Sequence, residues 1–484
     1  MIRKQDFHKV ADYVYEIPAS FREGMRVPAR MYADEKILEA ALQDKAAEQL
    51  VNTTTLPGVT KYALAMPDVH QGYGPPIGGV IPVDEATGVI SPGATGYDIN
   101  CGVRLLRCDL VANEVMSFMQ EMVDTLFRYV PSGVGKGGDI RLKTDSDMDD
   151  LLARGALWAI ERGYGEPEDA ELTEEGGSMP GADPGKVSPE AKTRGDDQVG
   201  TLGSGNHFLE VGRVDEIFDE AVAKAFGLFH GQLVLWVHSG SRGMGHQVCT
   251  DYVKSFQSAM KKYDIHVPDR ELVCAPFTSP EGQAYFGAMV CAANYAWANR
   301  QVLAHRARQA IYQVLANHNL ATDLRMVYDV AHNIVKRETY EIDGRPLPMI
   351  IHRKGATRAF GPGQPSVPER YRAIGQPVLV PGDMGTASYV LVGTEGAMEQ
   401  TFGSACHGAG RAMSRSAAIK QVRGQDLQAR LQRQGIVVKG GSWEGLAEEA
   451  PEAYKDVDRV VNVIHNAGIA RKVARTVPLG VIKG

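Results

Sequence analysis

The stretch Gly96-Tyr97-Asp98-Ile99-Asn100-Cys101-Gly102 follows a turn-rich segment, Ser91-Pro92-Gly93-Ala94-Thr95, and precedes an apolar run, Val103-Arg104-Leu105-Leu106. Asp98 and Cys101 thus stand three residues apart at the mouth of an expected strand. A carboxylate and a thiol make a poor core pair, because each needs a partner when buried. On one side of a divalent ion they are compatible, since both suit Mn²⁺ or Zn²⁺ when imidazoles complete the shell. Three further stretches offer imidazoles in similar settings: Gly205-Asn206-His207, Val237-His238-Ser239-Gly240 and Asp329-Val330-Ala331-His332-Asn333. Residues this distant in sequence cannot share an ion from independent modules. The expectation is therefore an α+β fold, one large mixed-sheet domain over 1–484 with surrounding helices. This outweighs the roughly three domains that length alone suggests.

The composition sets bounds. The 484 residues are 44% apolar and 23% charged, and 52 basic against 59 acidic residues give a net charge of −7. Nothing global advertises a polyanion partner, so any nucleic acid must be met by a local basic patch. Six cysteines (101, 108, 249, 274, 291, 406) form no CxxC pair and read as reduced thiols. The absence of closely spaced cysteine pairs also argues against a structural zinc site. The first residues lack the apolar core of a signal peptide. No apolar run approaches the roughly 18 to 20 residues that a membrane span needs. A soluble, cytoplasmic protein with no membrane partner is expected.

Along the chain, helices are expected over 34–51, 111–130 and 284–318. A further helix is expected to open at Cys406-His407-Gly408-Ala409-Gly410-Arg411 and continue to about Gln434. Strands are expected at 61–66, 207–211, 232–237, 326–328 and 377–380. The span 131–200 is acidic and rich in Gly and Pro, and reads as a helix-and-loop excursion within the domain rather than a second one. Asp68 and His70 fall at a strand end. His8, His266, His305 and His318 read as exposed or structurally satisfied.

His407 stands apart, at a glycine-rich turn before the expected helix. Helix N-terminal amides there would hold phosphate oxygens, with Arg411 as a fork-shaped donor one turn on. A phosphate beside a neutral imidazole invites attack by a ring nitrogen; the alternative is a simple capping turn. His238-Ser239-Gly240-Ser241-Arg242-Gly243 resembles a phosphate loop only loosely. Gly133-Val134-Gly135-Lys136-Gly137-Gly138 is not a Walker A loop, because the spacing is wrong and no Ser or Thr follows the lysine.

Taken together, the runs MPDVHQGYG (66–74), SPGATGYDINCGVRLL (91–106), LGSGNHFLEV (202–211), HSGSRG (238–243), DVAHN (329–333), CHGAGR (406–411) and PLGVIKG (478–484) resemble the RtcB family of GTP-dependent RNA ligases. The span 131–200 looks like that of the longer archaeal and eukaryotic-type members. Val69 replaces a glycine of the family's PDGHQG run. The resemblance implies joining of an RNA 3′-phosphate or 2′,3′-cyclic phosphate to a 5′-hydroxyl, with GTP and two Mn²⁺ ions. His407 would take GMP onto its nitrogen and pass it to the RNA 3′-phosphate, and Asp68 would orient that imidazole. Asp98, Cys101, His207, His238 and His332 match the metal ligands. Asn206, Phe208, Glu210, Asn333, Ser388, Arg411, Tyr454 and Lys483 match the guanylate pocket, and Arg194 matches an RNA-phosphate contact. An archease-like activator is a further implied partner. A regular strand from His207 would carry Glu210 to the opposite face, so a bend between them is expected. The rival readings are a metal-dependent phosphoesterase on cyclic phosphate ends without covalent guanylation, and a non-catalytic RNA-binding subunit.

Overall fold

Gln232–Ser239 is buried at every position, in keeping with its unbroken run Leu233-Val234-Leu235-Trp236-Val237. A strand of that kind needs cover on both faces, and the architecture supplies it. The computed structural model describes residues 2–484 other than 134, 136, 139 and 143. Val134 and Lys136 of the glycine-rich run at 133–138 are thus outside the described residues.

Two large mixed sheets form the frame. One runs His8–Ala11, Val14–Ile17, Ala29–Tyr32, Ala63–His70, Ile77–Asp84, Arg345–Lys354, Asn333–Ile342; only Ala29–Tyr32 and Ala63–His70 pair in parallel. The other runs Arg325–Ala331, Gly102–Val111, Gln232–Ser239, Phe208–Ile217, Ala470–Lys483, Ser388–Gly393, Pro377–Val380, with Val437–Gly440 added in parallel to Ala470–Lys483. Leu235 and Val237 face a core that contains Leu303, Ala307 and Ile311 of the long helix Pro280–Asn317 and Met122 and Leu126 of Met119–Tyr129. Val234 and Trp236 alternate into a second core, shared with Ala63, Ala65 and Ile351 of the other sheet. The helix Pro280–Asn317 begins where Ser279 caps the amide of Gly282. No helix among the described residues is long and apolar enough to cross a membrane.

Three expectations change. The helix expected over 34–51 is two, Glu35–Ala41 and Ala46–Thr53. Asp44 breaks it, because its carboxylate accepts from the amides of Ala46 and Gln71 rather than leaving the backbone helical. Residues 112–118 form two 3₁₀ turns before the helix Met119–Tyr129. No helix opens at 406. Ser404–Cys406 is a strand paired with Ala356–Arg358, residues 407–414 are irregular, and helices occupy Arg415–Gln421 and Gly424–Arg433. Gly410 is left-handed at φ +74°, and Ala412 donates to the Ala453 carbonyl, so the segment is committed to a loop.

The helices Asp145–Arg154, Ala156–Glu161, Pro167–Glu171 and Pro189–Gly195 make up most of the regular structure in 131–200. Asp169 ties them to the long helix through two bonds from Arg308, 2.6 and 2.7 Å, and one from Gln301, 2.7 Å. Burial opposes ionisation of Asp169, but Arg308 prevails and holds its carboxyl at about 2. Asp169→Ala would leave Arg308 buried without its counter-charge and is expected to cost about 3–5 kcal/mol in urea unfolding. In the unsubstituted chain the contribution is complete above the ordinary carboxylate value of 3.8 and is lost as pH falls toward 2. The pH dependence of stability between pH 4 and 2 should therefore flatten in the variant.

Candidate active site

Four neighbouring strands bring the metal-ligand candidates to one sheet end. Gly102 pairs with Ala331 on one side and Ser239 on the other, and His238 pairs with Phe208. Neighbouring strands lie roughly 4.8 Å apart. Residues just outside or at these ends, Cys101, His207, His238 and His332, are thereby gathered although up to 231 positions separate them in sequence. His332 occupies the single residue between Arg325–Ala331 and Asn333–Ile342, where the chain passes from one sheet to the other. Asn100, left-handed at φ +51°, turns the Asp98–Cys101 loop.

The donor atoms crowd. Cys101 Sγ lies 3.2 Å from His238 Nε2 and 3.5 Å from His207 Nε2. His238 Nε2 lies 3.3 Å from His332 Nε2, and His207 Nε2 lies 2.8 Å from Asp98 Oδ2. Two ligand groups result, Cys101–His238–His332 and Asp98–Cys101–His207, each with its donor atoms within 4.8 Å of one another and sharing the thiol. The His207 Nδ1–H donates to the Leu202 carbonyl at 2.9 Å, which leaves Nε2 with the lone pair a cation needs. The Ser241 amide and hydroxyl hold Asp98 Oδ1, and a Cβ at Gly240 would sit 2.4 Å from both Asp98 oxygens. Burial pushes the His238 and His332 imidazoles well below their ordinary value, so both are neutral, as ligands must be. Burial, then Asp98, pushes the Cys101 thiol well up. A divalent ion reverses that cost, and the N, O and S donor set suits Mn²⁺ or Zn²⁺.

His407 lies beside this cluster, its ring centroid 5.0 Å from that of His332. Its Nδ1–H donates to Asp68 Oδ2 at 2.5 Å, and the same oxygen accepts the His407 amide at 2.8 Å. Asp68 is fully buried in Ala63–His70. The carboxylate thus fixes both the ring and its tautomer, leaving the lone pair on Nε2.

A cavity of about 350 Å³ joins these groups to a cationic wall. Arg411 donates to Glu449 Oε1 at 3.0 Å and to the Glu448 carbonyl at 2.8 Å, and its guanidinium lies 5.2 Å from the Tyr454 ring. Tyr454 donates to Glu449, and Lys483 Nζ lies 3.7 Å from Glu449 and 5.3 Å from the Phe208 ring. Phe208 pairs with Lys483, and Glu210 with Val481. His207 precedes the strand, and within it Phe208 and Glu210 fall on one face; Phe208 lines the cavity, whereas Glu210, expected in the same pocket, is buried and does not line it. Burial pushes the Glu210 carboxyl up to about 8, and its Oε1 has no hydrogen-bond partner.

A family profile described as tRNA-splicing ligase RtcB matches residues 49–484. A "tRNA-splicing ligase RtcB" of Thermococcus kodakarensis is 56% identical over 470 residues, covering 97% of each chain. Proteins of the same name from Archaeoglobus fulgidus and Methanococcus maripaludis are 53% identical over 476 residues and 52% over 481, covering 98% or more of each chain. The chain belongs to the RtcB family. Of the residues that the RtcB resemblance singled out, Asp98, Cys101, Asn206, Phe208, His238, His332, Asn333, His407, Arg411, Tyr454 and Lys483 line the cavity. Asp68 and His207 stand just behind it, bonded to His407 and Asp98. Ser388 does not line it; its hydroxyl accepts from the Gly382 amide and so supports the Pro381–Gly382 wall. Arg194 lies outside it, donating to Gln247.

Sequence reasoning missed Glu449, the buried acid that links Arg411, Tyr454 and Lys483, and Lys354, which lines the cavity and donates to the Pro75 carbonyl at 3.1 Å. Neither has a local signal: Glu449 sits in an ordinary acidic helix end and Lys354 at a strand end. Because the Cys101 thiol must lose its proton to bind a cation, Co²⁺ affinity of the metal-free protein is expected to rise with pH across the neutral and mildly alkaline range. Cys101→Ser should weaken binding and remove the thiolate-to-Co²⁺ absorption band.

Proposed function

We propose that the protein is an RNA ligase that joins an RNA 3′-phosphate or 2′,3′-cyclic phosphate end to a 5′-hydroxyl end, using GTP through a histidine–GMP intermediate. The observation that carries this reading is the Asp68-oriented His407 facing one cavity with a shared-thiol ligand cluster on one side and a cationic wall on the other. Asp98, Cys101, His207, His238 and His332 would hold two Mn²⁺ ions. When bound, these neutralise a triphosphate and stabilise the charge on a departing pyrophosphate.

The residues then have distinct tasks. Asp68 keeps the proton on Nδ1, so His407 attacks the α-phosphorus of GTP through Nε2; a P–N bond forms and the P–O bond to pyrophosphate breaks. A 2′,3′-cyclic end first takes up water, which breaks its P–O2′ bond and leaves a 3′-phosphate and a 2′-hydroxyl. An oxygen of the RNA 3′-phosphate next attacks the guanylate phosphorus, breaks the P–N bond to free His407 and leaves GMP on the RNA end. The 5′-hydroxyl finally attacks the RNA phosphorus and releases GMP. Arg411 and Lys483 supply positive charge around the guanylate, with Phe208 beneath Lys483 as an apolar surface. Glu210, with an oxygen lacking a partner, would on losing its proton suit the N1–H and N2–H donors of guanine, which adenine does not present together. Residues 1–484 act on this reading as one catalytic unit, with 131–200 an excursion from it, in the cytoplasm. Arg194, outside the cavity, would contact RNA phosphate, and an archease-like activator is a further partner.

Incubation with Mn²⁺ and α-labelled GTP is expected to leave acid-labile label on the denatured chain. His407→Ala should abolish it, and Asp68→Asn should slow its formation by about 10²-fold or more, as loss of proton positioning does. Glu210→Gln should erode the preference for GTP over ATP by about tenfold or more. Turnover of cyclic phosphate ends without GTP or label would leave the phosphoesterase reading instead.

A further inference from the structure

Behind the ligand cluster runs the helix Pro280–Asn317, and two adjacent residues of it, Asn299 and Arg300, are fully buried against the ligand-bearing loops. Arg300 spends all five of its N–H donors there. Nε and one Nη bond Asp329 at 2.9 and 2.8 Å. The other Nη bonds the carbonyls of Asn100 at 2.7 Å and Ser239 at 2.9 Å, and the remaining hydrogen reaches Asn100 Oδ1 at 3.0 Å. Asn100 lies between Asp98 and Cys101, Ser239 follows His238, and Asp329 begins the run to His332. One planar cation therefore touches the three segments that carry Cys101, His238 and His332.

Two observations indicate that this contact is built rather than incidental. A Cβ at Gly102 would lie 2.9 Å from the Arg300 guanidinium and 2.3 Å from the Val330 carbonyl, so a glycine there is what lets the guanidinium reach the loop. Asn299 extends the same brace to the fourth segment. Its side-chain oxygen accepts from the amides of Gly200 and Thr201, and its nitrogen donates to the Ser239 hydroxyl and the Gly240 carbonyl. That hydroxyl bonds the Leu202 carbonyl, which also holds His207 Nδ1.

We propose that Arg300 is a positioning residue for the metal cage, fixing the backbones beside Cys101, His238 and His332 so that their donors meet at one point before an ion arrives. The inference rests on the metal reading of the site. A lysine at 300 keeps the charge near Asp329 but, as a point donor, cannot hold Asn100 and Ser239 together with it.

The test uses the full-length, metal-free protein, with Co²⁺ as the probe and three variants. Arg300→Lys is expected to weaken Co²⁺ binding by about 10–100-fold, the range for partners that orient metal ligands, and to shift or weaken the thiolate-to-Co²⁺ band. Arg308→Lys, at a buried arginine of the same helix bound to Asp169, should lower the melting temperature and leave Co²⁺ affinity and spectrum unchanged. Asn100→Gly, which alters no buried charge, decides the matter if Arg300→Lys does not fold; it should weaken Co²⁺ binding severalfold at an unchanged fold. Wild-type affinity and spectrum in Arg300→Lys, or in Asn100→Gly where that variant decides, would overturn the inference. So would equal losses of affinity in Arg300→Lys and Arg308→Lys. A missing thiolate band in the unsubstituted protein would instead sink the metal reading itself, and the inference with it.

Discussion

Sulfur and nitrogen lone pairs held 3.2–3.5 Å apart, as at Cys101, His207, His238 and His332, repel unless a cation or a shared proton lies among them. A chain accepts such crowding only if its backbone is fixed from behind. Here that support is polar. Asn100, Ser239, Asn299, Arg300 and Asp329 are all fully buried and bonded to one another, directly or through a backbone carbonyl. Inside a low-dielectric interior, a fully satisfied network of this kind resists distortion, because any displacement leaves a charge or amide without a partner.

The chemistry is divided between the sheets. The metal-ligand candidates stand at the ends of strands in the sheet that contains Gln232–Ser239, while Asp68 belongs to the other sheet and His407 follows the short ladder beside it. The two halves meet at His332, which ends one sheet's strand and precedes the other's. Separation of His407 from the metal-ligand candidates is therefore set by packing between sheets, which is stiff at interior density. The Asp68–His407 bond, spanning 339 positions, closes the arrangement from the other side.

What could be read from the chain alone follows the same physics. That Asp98, Cys101, His207, His238 and His332 come together was legible because each adjoins a glycine, a turn or a small polar neighbour beside an apolar run, and polar side chains of this kind at strand ends have few structural uses. The central strands and the helix Pro280–Asn317 were legible from their apolar runs. The loop at 407–414 was not, because the glycine spacing of Cys406–Arg411 fits a helix entry as well as a loop; the pairing of Ser404–Cys406 with Ala356–Arg358 decides it. Asn299 and Arg300 were invisible for a different reason. In a helix rich in alanine, polar residues ordinarily mark the wet face, and only the tertiary arrangement turns these two inward. Glu449 escaped likewise, since its burial depends on Arg411 and Lys483 arriving from distant segments.

The strand Ala470–Lys483 lies inside its sheet, with Phe208–Ile217 along one edge and Ser388–Gly393 and Val437–Gly440 along the other. During synthesis all three of those neighbours emerge hundreds or tens of residues before it does. Until then their facing edges present unsatisfied amides and carbonyls, the kind of surface on which chains stick to one another. A nascent chain stalled ahead of residue 470 would thus carry an open slot in its largest sheet, and chaperone demand should be concentrated in that interval of translation.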